Sequence, residues 1–254
     1  MFRYAIKIEY DGTNFHGWQK QNSLATVQGT INEALDKLDN SKSGVTGAGR
    51  TDAGVHALGQ VAHLDTTKNW QISELQNALN YHLKPHPISV IRIAQTSIDF
   101  HARFSAVNRH YLFKILIRRP PLTLNKNRFW HVKRLLKIVQ MREAAAHLVG
   151  QHDFTTFRSS ICQARSPIKT IDNILIEKHS SEDESIVEIR IQARSFLHNQ
   201  VRSIVGTLEK VGSGFWTPKY VAEAVKAKDR AKCGPVAPAH GLYLEKVLYD
   251  DLIF

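Results

Sequence analysis

Cysteine is nearly absent from this chain of 254 residues: Cys162 and Cys233 are the only two. Two thiolates cannot complete a four-thiolate zinc site. Neither cysteine stands in a C-x-x-C or H-x3–5-H setting, so both are expected to be reduced, buried and inert. Long apolar runs are also missing. No stretch of about 18 apolar residues occurs, and Met1-Phe2-Arg3-Tyr4 leads straight into an alternating pattern, which speaks against a membrane span or a signal peptide and makes the cytoplasm the expected compartment. Low-complexity tracts and long linkers are lacking as well. Acidic residues are outnumbered: 34 Lys and Arg stand against 23 Asp and Glu, a formal net charge of +11. Such an excess favours a polyanionic partner, because phosphates and their condensed counterions dominate binding of that kind. Nucleic acid comes before an anionic membrane surface on this ground.

Glycine, by contrast, is concentrated. Five of the 14 glycines fall between Gly44 and Gly59, around Arg50, Asp52 and His56. Glycine reaches positive φ and lets another molecule approach closely, so the run predicts a shaped loop that presents these side chains. Gly44 to Thr51 nearly spells a phosphate-binding loop, G-x-x-x-x-G-K-[ST], but arginine replaces the lysine. The context disagrees too, since only Lys42-Ser43 stand ahead of it and Gly54 and Gly59 interrupt the helix that should follow. A dinucleotide fingerprint fails because Asp52 occupies a required glycine position. What remains is a single carboxylate beside a cation. Asp52 reads either as a nucleophile or general base or as a turn aspartate bonded to its own backbone.

Along the chain, Phe2, Tyr4, Ile6, Ile8 and Tyr10 alternate with polar residues and predict a half-buried strand. Val27, Ile31, Ala34, Leu35 and Leu38 recur at helical spacing, and Ser73 with Gln76 spells a capping box before Leu75, Ala78 and Leu79. The second half opens on His110-Tyr111-Leu112-Phe113-Lys114-Ile115, an echo of Arg3-Tyr4-Ala5-Ile6-Lys7-Ile8, and continues into a helical stripe at Leu135, Val139 and Val149. A duplicated α+β unit fits this echo; so do two strands of similar face polarity. Further strands are expected at Ile186 to Ala193 and Gly241 to Tyr249, and a helix starting at Thr217-Pro218. The fold class read from this order is α+β: two similar α/β subdomains, residues 1–104 and 105–254, with a largely antiparallel sheet.

Gly47-Ala48-Gly49-Arg50-Thr51-Asp52-Ala53-Gly54-Val55-His56 closely resembles the active-site signature of the TruA family of tRNA pseudouridine synthases. Further blocks follow in the family's order: Tyr10-Asp11-Gly12-Thr13 with Phe15-His16-Gly17-Trp18-Gln19, Thr26-Val27-Gln28-Gly29, Phe100-His101-Ala102-Arg103-Phe104, Asp153-Phe154-Thr155-Thr156-Phe157-Arg158, Phe196-Leu197-His198 with Val201-Arg202, and Gly241-Leu242-Tyr243-Leu244. They span nearly the whole chain.

The resemblance implies the pseudouridine synthase fold and isomerisation of uridine to pseudouridine at positions 38, 39 and 40 of the tRNA anticodon stem-loop. It also implies a homodimer and no cofactor or metal. Its catalytic aspartate falls on Asp52, as nucleophile at C1′ or base at C2′, with Arg202 as basic partner. Without the family pattern, Arg202 reads as a helix-flank arginine lying on apolar surface. Tyr111 would lie beneath the target uracil, although its period with Phe113 and Ile115 also explains it as core. Arg50 would fill the space of the flipped nucleotide, or simply pair with Asp52. Leu244 is carried over as a substrate contact, and Arg103, Arg109 and Arg158 as RNA contacts. Arg118, Arg119, Lys126, Arg128, Arg134 and Lys137 extend the basic footprint. His56 is expected to be a loop or core histidine, and Phe154 and Phe157 to serve packing. Two competing classes stay in view: an RNA-binding protein that has lost catalysis, and a thiol-dependent base-modifying enzyme using Cys162, which needs an activating histidine or cation near the sulfur.

Overall fold

A computed structural model describes residues 1–39 and 43–254, so Lys42, ahead of the glycine run, lies outside the described residues. The architecture is α+β with largely antiparallel strands, in two compact units: Met1–Arg109 with Tyr243–Phe254, and His110–Leu242.

In the first unit, strand β1 (Phe2–Tyr10) is the hub. It pairs antiparallel with β3 (His56–Thr66) on one side and β4 (Ile88–Thr96) on the other. The two-residue strand β2 (Thr46–Gly47) adds to β3. Alternation sends Tyr4, Ile6 and Ile8 into the core. Helix α1 (Val27–Asp36) buries Val27, Ile31, Ala34 and Leu35, and Thr26 caps it by accepting the Gly29 N–H at 3.2 Å. Helix α2 (Ile72–Leu83) follows β3 and buries Leu75, Leu79 and Leu83. The capping box expected at Ser73 and Gln76 does not form: the N-cap is Gln71, without a side-chain bond, and Gln76 Nε2 donates instead to the Val90 and Ile91 carbonyls at 3.0 and 2.8 Å. Tertiary acceptors on β4 outbid the local one.

Strand β5 (Ala106–Ile117) carries the chain from the first unit into the second. There β6 (Trp130–Val132) pairs parallel to β5, β7 (Gly150–Asp153) pairs with β8 (Ile168–Ile171), and β9 (Asn173–Ser180) forms a hairpin with β10 (Ser185–Ala193). Helix α3 (Ile138–Ala146) packs on α4 (Gln200–Gly212) and α5 (Pro218–Ala227). Thr217 caps α5 as its sequence implies, accepting the Tyr220 N–H at 3.3 Å. The stripe expected at Leu135, Val139 and Val149 is a solvent face: Leu135 and Val139 are 77% and 76% exposed. Met141, Ala144, Ala145 and Leu148 are the buried set, at i, i+3, i+4 and i+7. The two alanines in that set, small and weakly hydrophobic, disguise that face in the sequence. Strand β11 (Leu242–Tyr249) runs parallel to β3 from Tyr243, in register with His56.

Candidate active site

The glycine run folds into an irregular loop between β2 and β3 that is held by its backbone on both flanks. Ala48 N–H donates to the Val61 carbonyl at 2.7 Å, and Gln60 Nε2 donates to the Gly49 carbonyl at 2.8 Å. The Thr51 carbonyl accepts from Trp18 N–H at 3.0 Å, while its hydroxyl lies 2.8 Å from the Tyr10 phenol. Val55 N–H closes a turn onto the Asp52 carbonyl at 3.1 Å, and Gly54 N–H reaches the Phe15 carbonyl at 3.2 Å. With the main chain so engaged, Asp52 is left half-buried and Arg50 exposed.

The room that glycine provides here is used by the protein itself. A Cβ on Gly47 would stand 2.6 Å from the Trp18 ring. Gly17, at φ +92°, would place one 2.7 Å from the Thr51 carbonyl, and Gly12 one 2.0 Å from that of Val55. Of the glycines in the run, Gly44 and Gly54 take positive φ. The close approach anticipated from the sequence is therefore made by the segment 12–18 packing on the Asp52 loop. His56, first residue of β3, is buried; its Nδ1 accepts the Gly12 N–H at 3.0 Å and its ring stacks on Tyr243 at 4.7 Å. Leu244 is fully buried, in register with Ala57.

The cations of the first unit divide sharply. Arg103 is exposed. Arg109 is only 8% exposed, and its guanidinium donates to the carbonyls of Ala106 at 3.2 Å, Arg103 at 2.7 Å and Ala48 at 2.9 Å. Its charge is directed inward, onto the backbone of the Asp52 loop and of the 101–105 segment.

In the second unit, Tyr111 is 8% exposed on β5 and meets Phe196 edge-on at 5.2 Å. Arg202 is half-buried on α4, beside the buried stripe of Val201, Ile204, Val205 and Leu208. Its Nε donates to the Ala237 carbonyl at 2.7 Å and its Nη1 to Asn199 Oδ1 at 3.1 Å, which fixes the guanidinium plane. Burial first, and the nearby Arg202 charge, hold the His240 imidazole below its ordinary range. Arg158 is half-buried after the 3-10 turn at Thr155–Phe157, in which Phe157 is buried, as is Phe154 just ahead of it. Arg118 pairs with Glu184 at 2.9 Å. Cys162 and Cys233 are free but half-buried, more open than expected.

Sequence spacing had no way to find one further group. Glu177, His179 and Glu188 come together across β9 and β10, with ligand atoms within 4.8 Å of one another. Arg190 donates to both carboxylates at 2.8 Å, which makes this an ion-pair network on the strand faces.

A family model described as tRNA pseudouridine synthase matches residues 6–105 and 144–250. The tRNA pseudouridine synthase A of Ruegeria sp. (strain TM1040) is 52% identical over 254 residues, covering 100% of this chain and 98% of that protein. The protein of the same name from Cereibacter sphaeroides (strain ATCC 17025 / ATH 2.4.3) is 55% identical over 249 residues, 98% of this chain and 97% of its own. Among solved structures, a chain of a Cbf5-Nop10-Gar1 complex aligns over 97% of this chain and 60% of its own at 10% identity, with a TM-score of 0.31, too low to bear on the fold.

Proposed function

The chain belongs to the tRNA pseudouridine synthase family, a family of isomerases, and we propose that Asp52 is the residue on which its chemistry turns. The supporting observation is the Asp52 loop, whose backbone is tied to β3, to segment 12–18 and to Arg109 while its carboxylate is only half-buried. A preorganised carboxylate needs no reorganisation at the moment of reaction, which is where an enzyme gains most.

In this reading the substrate is uridine at positions 38, 39 and 40 of the tRNA anticodon stem-loop. Asp52 either attacks C1′ or removes a proton from C2′, and the N-glycosidic bond to N1 breaks. Uracil turns, C5 bonds to C1′ as the Asp52 ester is displaced or C2′ takes back its proton, the C5 proton leaves to solvent and N1 gains one. No electrons enter or leave, so the balance needs no oxidant, reductant or group donor. Arg202 is the basic partner whose positive charge keeps Asp52 ionised, and Tyr111 the ring on which uracil rests while detached. Leu244 shapes the pocket from β11, Arg50 occupies the space the flipped nucleotide leaves, and Arg103 and Arg158 meet phosphate. We place the enzyme in the cytoplasm as a homodimer; among the described residues no helix is long and apolar enough to cross a membrane.

Tritium release from C5-labelled tRNA tests the assignment. Asp52→Asn should abolish release while tRNA binding persists, and release retained at more than a few per cent of normal would sink it.

A further inference from the structure

The segment 97–105, between β4 and β5, is as closely held as the Asp52 loop, yet it presents an aromatic ring. Arg3 Nη1 donates to the Phe100 carbonyl at 2.9 Å and also to that of Ile98. Ala102 is held at both ends: its N–H reaches His63 Nδ1 at 3.1 Å and its carbonyl accepts from the Tyr249 hydroxyl at 2.7 Å. Inside the turn, His101 Nδ1 lies 3.2 and 3.3 Å from the N–H groups of Arg103 and Phe104, and Ser105 N–H closes onto the His101 carbonyl at 2.9 Å.

On this fixed backbone Phe104 is 73% exposed. One side of its ring leans on His101, with centroids 4.3 Å apart and planes tilted by 33°, and the Arg103 guanidinium lies 5.8 Å from the ring centre. An apolar ring in water is costly, and a flexible loop would fold it away. Here the backbone bonds keep it out. A π face with a cation beside it matches a nucleobase and its phosphate: every base can stack on it, and the guanidinium meets the charge. A second copy of this chain, with its own net charge of +11, is a poorer match for that cation. The same Nη2 of Arg109 that holds the Arg103 carbonyl also holds that of Ala48, so the ring stands in fixed register with the Asp52 loop.

We propose that Phe104, backed by His101, is a stacking platform for an unpaired nucleobase of the RNA substrate, with Arg103 on the adjoining phosphate. The proposal rests on the reading of this protein as acting on tRNA.

Binding of the full-length protein to an anticodon stem-loop RNA, carrying 2-aminopurine at single loop positions, tests the platform. Each change is made in the Asp52→Asn background, so that affinity is read without turnover. Phe104→Ala should weaken binding by about tenfold and abolish quenching at one loop position, as expected for a lost base stack. Phe104→Trp should stay within about twofold of the parent, and Phe104→Leu, apolar but without a π face, should behave like Phe104→Ala. The idea is overturned if Leu binds as well as Trp, or if Phe104→Ala leaves affinity and quenching unchanged. It is equally overturned if Phe104→Ala halves the mass seen by light scattering, which would assign the ring to a contact between copies. Because affinity is measured without catalysis, these outcomes are separate from the tritium-release result at Asp52.

Discussion

The Asp52 loop and the 97–105 segment are built by one device and present opposite chemistries. In both, side chains and N–H groups from elsewhere take the loop's backbone polar atoms, around a half-buried Asp52 in one and an exposed Phe104 in the other. Around Asp52 the donors are Trp18, Gln60 and Arg109; around Phe104 they are Arg3, Tyr249 and Arg109. The first loop also needs glycine, because segment 12–18 packs directly on its carbonyls. The second has no glycine at all and closes through His101. On the proposed roles, a carboxylate that meets a reacting carbon calls for a close-packed support, whereas a stacking ring needs only a steady base. Arg109 is common to both.

Removing the shared residue should therefore have the largest effect. Arg109→Met leaves three carbonyls without their cationic donor, at a cost of roughly 3 kcal/mol in unfolding free energy by denaturant titration. Both kcat and tRNA affinity should fall; loss of only one would show that the loops are independent. Gly17→Ala acts on the Asp52 loop alone, forcing a Cβ against the Thr51 carbonyl at a positive φ, for about 2 kcal/mol. Its kcat should drop with RNA affinity held. Tyr249→Phe acts on the other loop, removing the donor to Ala102, for about 1 kcal/mol. Burial pushes the Tyr249 phenol above its ordinary range, so the hydroxyl remains a donor across the working pH range. RNA affinity should weaken while kcat at saturating tRNA holds.

A separate effect concerns pH. Burial first, then the Arg3 charge, lower the His63 pKa to about 4, so the folded protein keeps His63 neutral and able to accept from Ala102. The unfolded chain, near 6.5, takes up the proton earlier. Stability contributed by neutral His63 is thus present above about 6.5 and is lost as pH falls toward about 4. His63→Gln should flatten that part of the stability profile, and an unchanged slope would contradict the assignment.

Much of the framework was legible in the sequence. The period-two run from Phe2 and the stripe from Val27 correspond to β1 and α1, and Thr217-Pro218 to the start of α5. The echo between Arg3–Ile8 and His110–Ile115 extends to burial, which follows the same order in both strands. Within that echo the tyrosines differ: the Tyr4 hydroxyl accepts from Trp70 N–H at 2.8 Å in the core, while Tyr111 lies edge-on to Phe196. Misreadings came where large residues faced water, as at Leu135 and Val139, or where a local cap lost to a distant acceptor, as at Gln76.

By itself the sequence determined the class of fold, the family, and a glycine-framed loop bearing Arg50 and Asp52, because hydrophobic period and motif spacing are local properties of the chain. Tertiary structure alone decided that Trp18 fills the space at Gly47, that Arg109 turns its charge inward, and that Phe104 stands on a fixed base. The bonds responsible join residues 39 positions apart at His63, 61 at Arg109 and 147 at Tyr249. No periodicity within a segment encodes a hydrogen bond of that reach; it exists only once strands β1, β3 and β11 have brought the backbone together.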